Sequence, residues 1–190
     1  PKEALVKIDK HIPFEHAALF GCGVVTGVGA VLNTANAREE DSVAIVGLGG
    51  VGLSALLASL AVGSKKTIAI DLSDEKLALA SELGADHTLN PKDENFLEKI
   101  RDLTSGGVNI AVETAGSGHA LKTAYDITRR GGTTVTAGMP GPKVEITLSH
   151  LSIAAEERTI KGSYMGSCIA QRDIPKYLDM FQTGKLPVDR

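Results

Sequence analysis

The sequence predicts an α/β protein: a doubly wound parallel sheet in three layers, with helices on both faces. Three observations predict it. From residue 41 onward, apolar runs of strand length alternate with segments of helical period. The first run, VAIV at 43–46, is apolar at every position, as a strand buried on both faces must be. It opens into Gly47, Leu48, Gly49, Gly50, Val51 and Gly52, then into a Leu/Ala-rich helical stretch. A strand, a G-x-G-x-x-G turn and a helix in that order form the dinucleotide-binding fingerprint of a Rossmann-type fold.

Taken in order, residues 1–40 read as an N-terminal linker segment to a single domain spanning 1–190. Residues 1–14 hold Pro1 and Pro13 and read as a connection. A short helix is expected over 15–20, with Glu15 favourable in its first turn. In 21–36, Val24, Val28, Val31 and Leu32 stand at helical spacing, so the spacing predicts a helix whose glycines allow close packing. Strands are then expected at 43–46, 66–70, 86–89, 108–112, 132–137, 144–148 and 158–162. Helices are expected at 50–62, 74–83, 94–103, 117–129, 150–156 and 169–181. Gly63 and Gly84 stand where helix C-caps belong. The 74–83 helix turns Leu77, Ala78, Ala80 and Leu83 inward by its period. Right-handed crossovers between parallel strands give the expected strand order 3-2-1-4-5-6. The late strands at 144–148 and 158–162 fall at a sheet edge, which invites pairing with a second copy.

Composition excludes several classes of function. A net charge of −3 offers no electrostatic case for nucleic acid or an anionic membrane, and no apolar run is long enough to span a bilayer. Only two cysteines, Cys22 and Cys168, argue against a disulfide framework and for a reducing compartment, the cytoplasm. The chain opens without methionine and closes on GKLPVDR with no capping element, so it is expected to come from a longer protein.

The chemistry concentrates in the loops at the carboxyl ends of the strands, where ligands of such sheets lie. Gly47 permits a tight turn, the bare backbone at Gly49 admits a pyrophosphate, and Gly52 lets the helix pack on the sheet. The helix N-terminus beginning near Gly50 offers free N–H groups and partial positive charge to that phosphate. Asp71 ends the second strand nineteen residues after Gly52, where a carboxylate binds an adenosine ribose and repels the extra phosphate of NADP. NAD is therefore the expected cofactor. The loops 113–118 (ETAGSG) and 137–141 (AGMPG) are rich in small residues, as a flat ring against backbone requires. Glu113 is read as a surface or capping residue, Cys168 as a small, partly buried one, and the five histidines as ordinary surface or packing residues.

GCGVVTGVGA, VAIVGLGGVGL, AIDLSDEKLALASELGA and VETAG resemble the zinc-dependent alcohol dehydrogenases of the medium-chain dehydrogenase/reductase superfamily, over essentially the whole chain. The resemblance implies hydride transfer between an alcohol, or its aldehyde or ketone, and NAD. It implies that Cys22 is one of three protein ligands to a catalytic zinc and that Thr26 packs beside the nicotinamide. Gly47, Gly49, Gly50, Val51 and Gly52 match the pyrophosphate loop, Asp71 the ribose acid, and Lys76 a lysine that assists it. Thr114, Ala115, Ala137, Met139 and Met165 fall where the family lines the cofactor cleft. The family's other zinc ligands, its structural four-cysteine zinc cluster and its proton relay belong to an N-terminal catalytic domain that this sequence lacks. The chain itself is accordingly expected to bind cofactor without turnover, and to form a homodimer or tetramer. Two alternatives remain at this point. One is a zinc-free NADPH-dependent quinone or enone reductase of the same superfamily, against which Cys22 and Asp71 argue. The other is a non-catalytic dinucleotide-sensing module.

Overall fold

The computed structural model describes residues 5–190; the opening of the expected connecting segment, including Pro1, lies outside them. Six parallel strands form one sheet in the order β3-β2-β1-β4-β5-β6. They are β1 (Ser42–Val46), β2 (Lys66–Ile70), β3 (His87–Leu89), β4 (Val108–Glu113), β5 (Thr128–Thr136) and β6 (Thr159–Gly162). This is the order expected of the Rossmann-type fold, with the run expected as a seventh strand, 158–162, in the sixth place.

Two helical layers cover the sheet because each buried strand sends alternate side chains to opposite faces. Val43 and Ile45 of β1 enter one apolar cluster, with α2 (Gly23–Gly29), α3 (Gly50–Val62), α4 (Asp74–Glu82) and α8 (Ala170–Gln182). Ala44 and Val46 enter the other, with α5 (Phe96–Thr104) and α6 (Gly118–Ile127). Each fully buried Ile or Leu contributes roughly 1.5–3 kcal/mol to such a core. In α4, Leu77 and Ala80 are buried as expected, whereas Ala78 is exposed.

The N-terminal segment is built into this core. After α1 (Phe14–Leu19), α2 runs without a break into a π-helical stretch, Ala30–Ala35, that ends on left-handed Asn36. Val24, Val25, Val28 and Val31 are buried. Close packing accounts for the glycines: a Cβ at Gly27 would sit 2.1 Å from the carbonyl oxygen of Val51 in α3.

Two expectations are corrected. Residues 144–148 form no strand. They follow Pro140, Gly141 and Pro142 and run over the start of α6, where a Cβ at Gly118 would lie 3.2 Å from both Val144 and Ile146. The edge is therefore β6 alone, exposed along its length. The helix expected to reach residue 129 stops at Ile127, and β5 starts at once. Thr128 takes an extended conformation, its hydroxyl 2.7 Å from the Ala124 carbonyl. Gly131 and Gly132 mark an irregularity inside the strand, where the register with β4 shifts.

No helix among the described residues is long and apolar enough to cross a membrane. α7 (His150–Ala155) completes the elements, capped by the Ser149 hydroxyl. Register brings the carboxyl ends of the strands level: Val46 pairs with Ile70 and with Glu113, Glu113 with Thr136, and Thr136 with Gly162. Every loop that follows those residues opens on one edge of the sheet.

Candidate functional site

The turn after β1 is shaped by what its glycines touch. Gly47 has φ +95°, and a Cβ there would meet Ala115 at 2.8 Å. A Cβ at Gly52 would lie 1.8 Å from the Gly47 carbonyl oxygen, so helix and turn are in direct contact only because both residues are glycine. Gly49 and Gly50 differ. A Cβ at either meets no protein atom within 4 Å. The protein's own packing does not demand glycine at these two positions, and the space they leave is open. α3 begins there with no side chain capping it, so its first N–H groups and the positive end of its dipole are available to an anion. Val51, half-buried, follows in the first turn.

Asp71, at the end of β2, faces this turn. Its Oδ2 accepts the Leu48 amide at 2.7 Å and its Oδ1 the Ser73 amide at 2.9 Å. Lys76 Nζ stands 3.8 Å from the same carboxylate, its side chain half-exposed. A carboxylate has about four acceptor directions, so two remain for the hydroxyls of a ligand. A cleft of about 250 Å³ opens beside it, walled by Gly47, Asp71, Lys76, Pro91, Ala115 and His119. A second cleft, of about 320 Å³, lies on the other side of the α3 N-terminus between Leu19, Gly23, Gly50, Leu53 and Pro187.

The loops after β4 and β5 are tied to this edge from within. Thr114 directs its hydroxyl to the Gly47 carbonyl at 2.6 Å, so it braces the glycine turn. Ala115 is exposed and walls the Asp71 cleft. Glu113 does not take the surface part of the surface or capping role expected of it. It is 1% exposed, and its carboxylate accepts the Gly116 amide at 2.6 Å and the Thr136 hydroxyl at 2.7 Å. A strand-end acid with two inward donors is drawn in to organise both loops. Ala137 is buried, its amide on the Glu113 carbonyl, while Met139 is 78% exposed.

At the far end, Thr26 is buried in α2 and its hydroxyl donates to the Cys22 carbonyl at 2.8 Å. Met165, half-buried after β6, brings its Sδ to 3.8 Å from that hydroxyl. Cys22 is exposed and free. Among the described residues no group of three or more His, Cys, Asp or Glu side chains could hold a metal ion. A catalytic zinc takes three protein ligands and an open position, so the donors among the described residues do not by themselves fit zinc. His16, close to Cys22 in sequence, packs edge-on against Phe181 with ring centroids 5.4 Å apart. Cys168 is half-buried, and burial, followed by the nearby Asp173 carboxylate, pushes its thiol up. Three residues around the Met165 turn, Asn33, Thr34 and Asp173, escape sequence reasoning. A buried acid in the first turn of α8 carries no local signal of its partners.

The chain matches the family model described as zinc-binding dehydrogenase over residues 50–183, more than half its length. It belongs to the zinc-binding dehydrogenase family. It is 37% identical over 186 residues to the geraniol dehydrogenase of Castellaniella defragrans, an alignment covering 97% of this chain and 50% of that protein. The benzyl alcohol dehydrogenase structure from Acinetobacter calcoaceticus superposes with a TM-score of 0.93 at 35% identity, over 97% of this chain and 51% of that one. A zinc-binding dehydrogenase of Sinorhizobium meliloti bound to NADP superposes with a TM-score of 0.80 at 25% identity, over 89% of this chain and 49% of that one. The chain spans about half the length of the curated relatives it matches. Its own half is the nucleotide-binding one.

Proposed function

We propose that this chain is the NAD-binding half of an alcohol dehydrogenase that moves hydride between a small alcohol and its aldehyde or ketone. One observation carries the reading. At the uncapped start of α3, Gly49 and Gly50 leave open backbone, and Asp71 stands bonded to the same turn with two acceptor directions free. Open backbone and dipole receive a pyrophosphate, and the carboxylate receives the adenosine ribose hydroxyls. Bound NAD supplies the hydride acceptor. The chain's part is to hold the pyrophosphate at residues 47–52, the ribose at Asp71 with help from Lys76, and the nicotinamide toward Thr26 and Met165. Ala115 walls the Asp71 cleft, and the reading assigns Thr114, Ala137 and Met139, on the loops after β4 and β5, to the stretch between ribose and nicotinamide.

In this reading Cys22 offers one ligand to the catalytic zinc and the rest come from a catalytic half outside this sequence, so the chain alone binds without turnover. The protein works in the cytoplasm, and the exposed edge strand β6 makes a homodimer, or a tetramer built from dimers, the expected assembly. A second reading, an NADPH-dependent reductase, has Lys76 in its favour, a cation 3.8 Å from the carboxylate.

Parallel calorimetric titration with NAD, NADH and NADPH tests the choice. A carboxylate within about 4 Å of a 2′-phosphate repels it by roughly 1–4 kcal/mol, so NADPH should bind about tenfold more weakly than NADH, or worse. Preference for NADPH favours the reductase. Binding of none of the three contradicts the dinucleotide reading.

A further inference from the structure

Between β6 and α8 the chain makes a turn that L-residues disfavour. Met165, Gly166 and Ser167 stand in succession at φ of 49°, 64° and 49°. A left-handed conformation costs free energy at every residue but glycine, so it persists only where the surroundings over-determine it.

The π-helical end of α2 and the first turn of α8 do so. The Asn33 amide nitrogen lies 3.1 Å from the Gly166 carbonyl, 3.2 Å from Asp173 Oδ2 and 3.0 Å from the Tyr177 hydroxyl. The Thr34 hydroxyl bridges Ser163 Oγ at 2.8 Å and Ser167 Oγ at 2.9 Å. Gly29 allows the approach, since a Cβ there would lie 2.2 Å from the Gly166 carbonyl oxygen. Asp173 is 2% exposed, accepts the Ile169 amide at 2.8 Å and is paired with Arg172 at 2.6 Å. The turn is thus gripped from both sides, and its first residue is the one whose sulfur touches Thr26.

In a doubly wound sheet the two ends of a dinucleotide lie against the two halves of the sheet. Asp71 belongs to the first half, and the Met165 turn closes the second at the same edge. We infer that Asn33, supported by Thr34 and Asp173, is a positioning residue for the nicotinamide end of the cofactor. It fixes the Met165–Ser167 turn against Thr26 and so sets the wall on which the nicotinamide rests. The inference rests on the dinucleotide reading above. The three hold the turn, and through it Met165.

The test compares NADH with ADP-ribose, which lacks the nicotinamide, on the wild-type chain, Asn33→Ala and Thr34→Val. Affinity is read by calorimetry and Met165 by its ¹³C-methyl resonance, one of three methionines. The wild type should bind NADH more tightly than ADP-ribose, and NADH alone should move the Met165 signal. Asn33→Ala should weaken NADH about fivefold, the equivalent of one hydrogen bond, and leave ADP-ribose unchanged. Thr34→Val, the milder change, should lower NADH affinity in the same selective way and keeps the test open if Asn33→Ala does not fold. Equal losses for both ligands, unchanged NADH affinity in both variants, or equal wild-type affinities overturn the positioning role. Failure of the wild type to bind either ligand overturns the dinucleotide reading itself.

Discussion

The carboxylate of Asp71 accepts the Leu48 amide at 2.7 Å, so the acid that ends β2 is fastened to the turn that ends β1. One side chain thereby has two tasks. It holds the glycine turn from within and, in the proposed function, presents its remaining acceptor directions to a ribose.

Those tasks separate by substitution. Asp71→Ala leaves the Leu48 and Ser73 amides without their acceptor and should cost about 1–3 kcal/mol of stability as well as NADH affinity. Asp71→Asn keeps one acceptor oxygen and removes the charge. Its amide nitrogen then faces one of the two backbone N–H donors, so the variant should lose about 1 kcal/mol or more of stability, short of the Ala variant, while the NADH preference over NADPH shrinks toward parity. An Asn variant that keeps the full preference would remove Asp71 from cofactor selection.

Gly49 and Gly52 make opposite predictions. Gly49 has φ −79° and ψ −172°, which any residue adopts, and a Cβ there meets nothing. Gly49→Val should fold like wild type and lose dinucleotide binding. At Gly52 a Cβ would fall 1.8 Å from the Gly47 carbonyl oxygen, so Gly52→Ala should lose about 3 kcal/mol or more in thermal or urea unfolding. A folded Gly49→Val chain with wild-type NADH affinity would sink the phosphate-loop assignment.

Alkaline pH should expose the network around α8. Burial, then the nearby Asp173 carboxylate, pushes the Tyr177 phenol up to about 12 from an ordinary value of 10.0. A raised phenol stays neutral in the folded chain while the unfolded chain ionises. Its contribution is therefore intact below pH 10 and is lost as pH rises from 10 toward about 12. Tyr177→Phe should flatten that part of the stability–pH curve, measured by urea unfolding. An unchanged alkaline limb would mean that the phenol does not resist ionisation in the fold.

Most of the fold was legible because its signals are local. VAIV before GLGGVG defines β1 and α3, and the alternation, read as a Rossmann-type fold, leads to the observed strand order. The signals failed where local preference met a tertiary partner. Val144 and Ile146 look like strand residues, yet they pack over Gly118 at the start of α6. The strand expected from Gly132 begins four residues earlier, at Thr128, and carries Gly131 and Gly132 through an irregularity. In the site, Gly47 and Gly52 announce themselves by spacing. Glu113 does not, because a strand-end acid becomes a buried organiser only through Gly116 and Thr136. Asn33 and Asp173 lie 140 residues apart, and only the fold reveals that they share a hydrogen bond.

The most direct test of the account is an amide-resolved NMR titration of the chain with NADH. The amides of Gly49, Gly50 and Val51 should shift most, with a second group at Asp71, Leu72 and Ser73. Binding that moves other amides while leaving 47–52 in place, or no binding at all, would contradict the claim that the α3 N-terminus holds a dinucleotide.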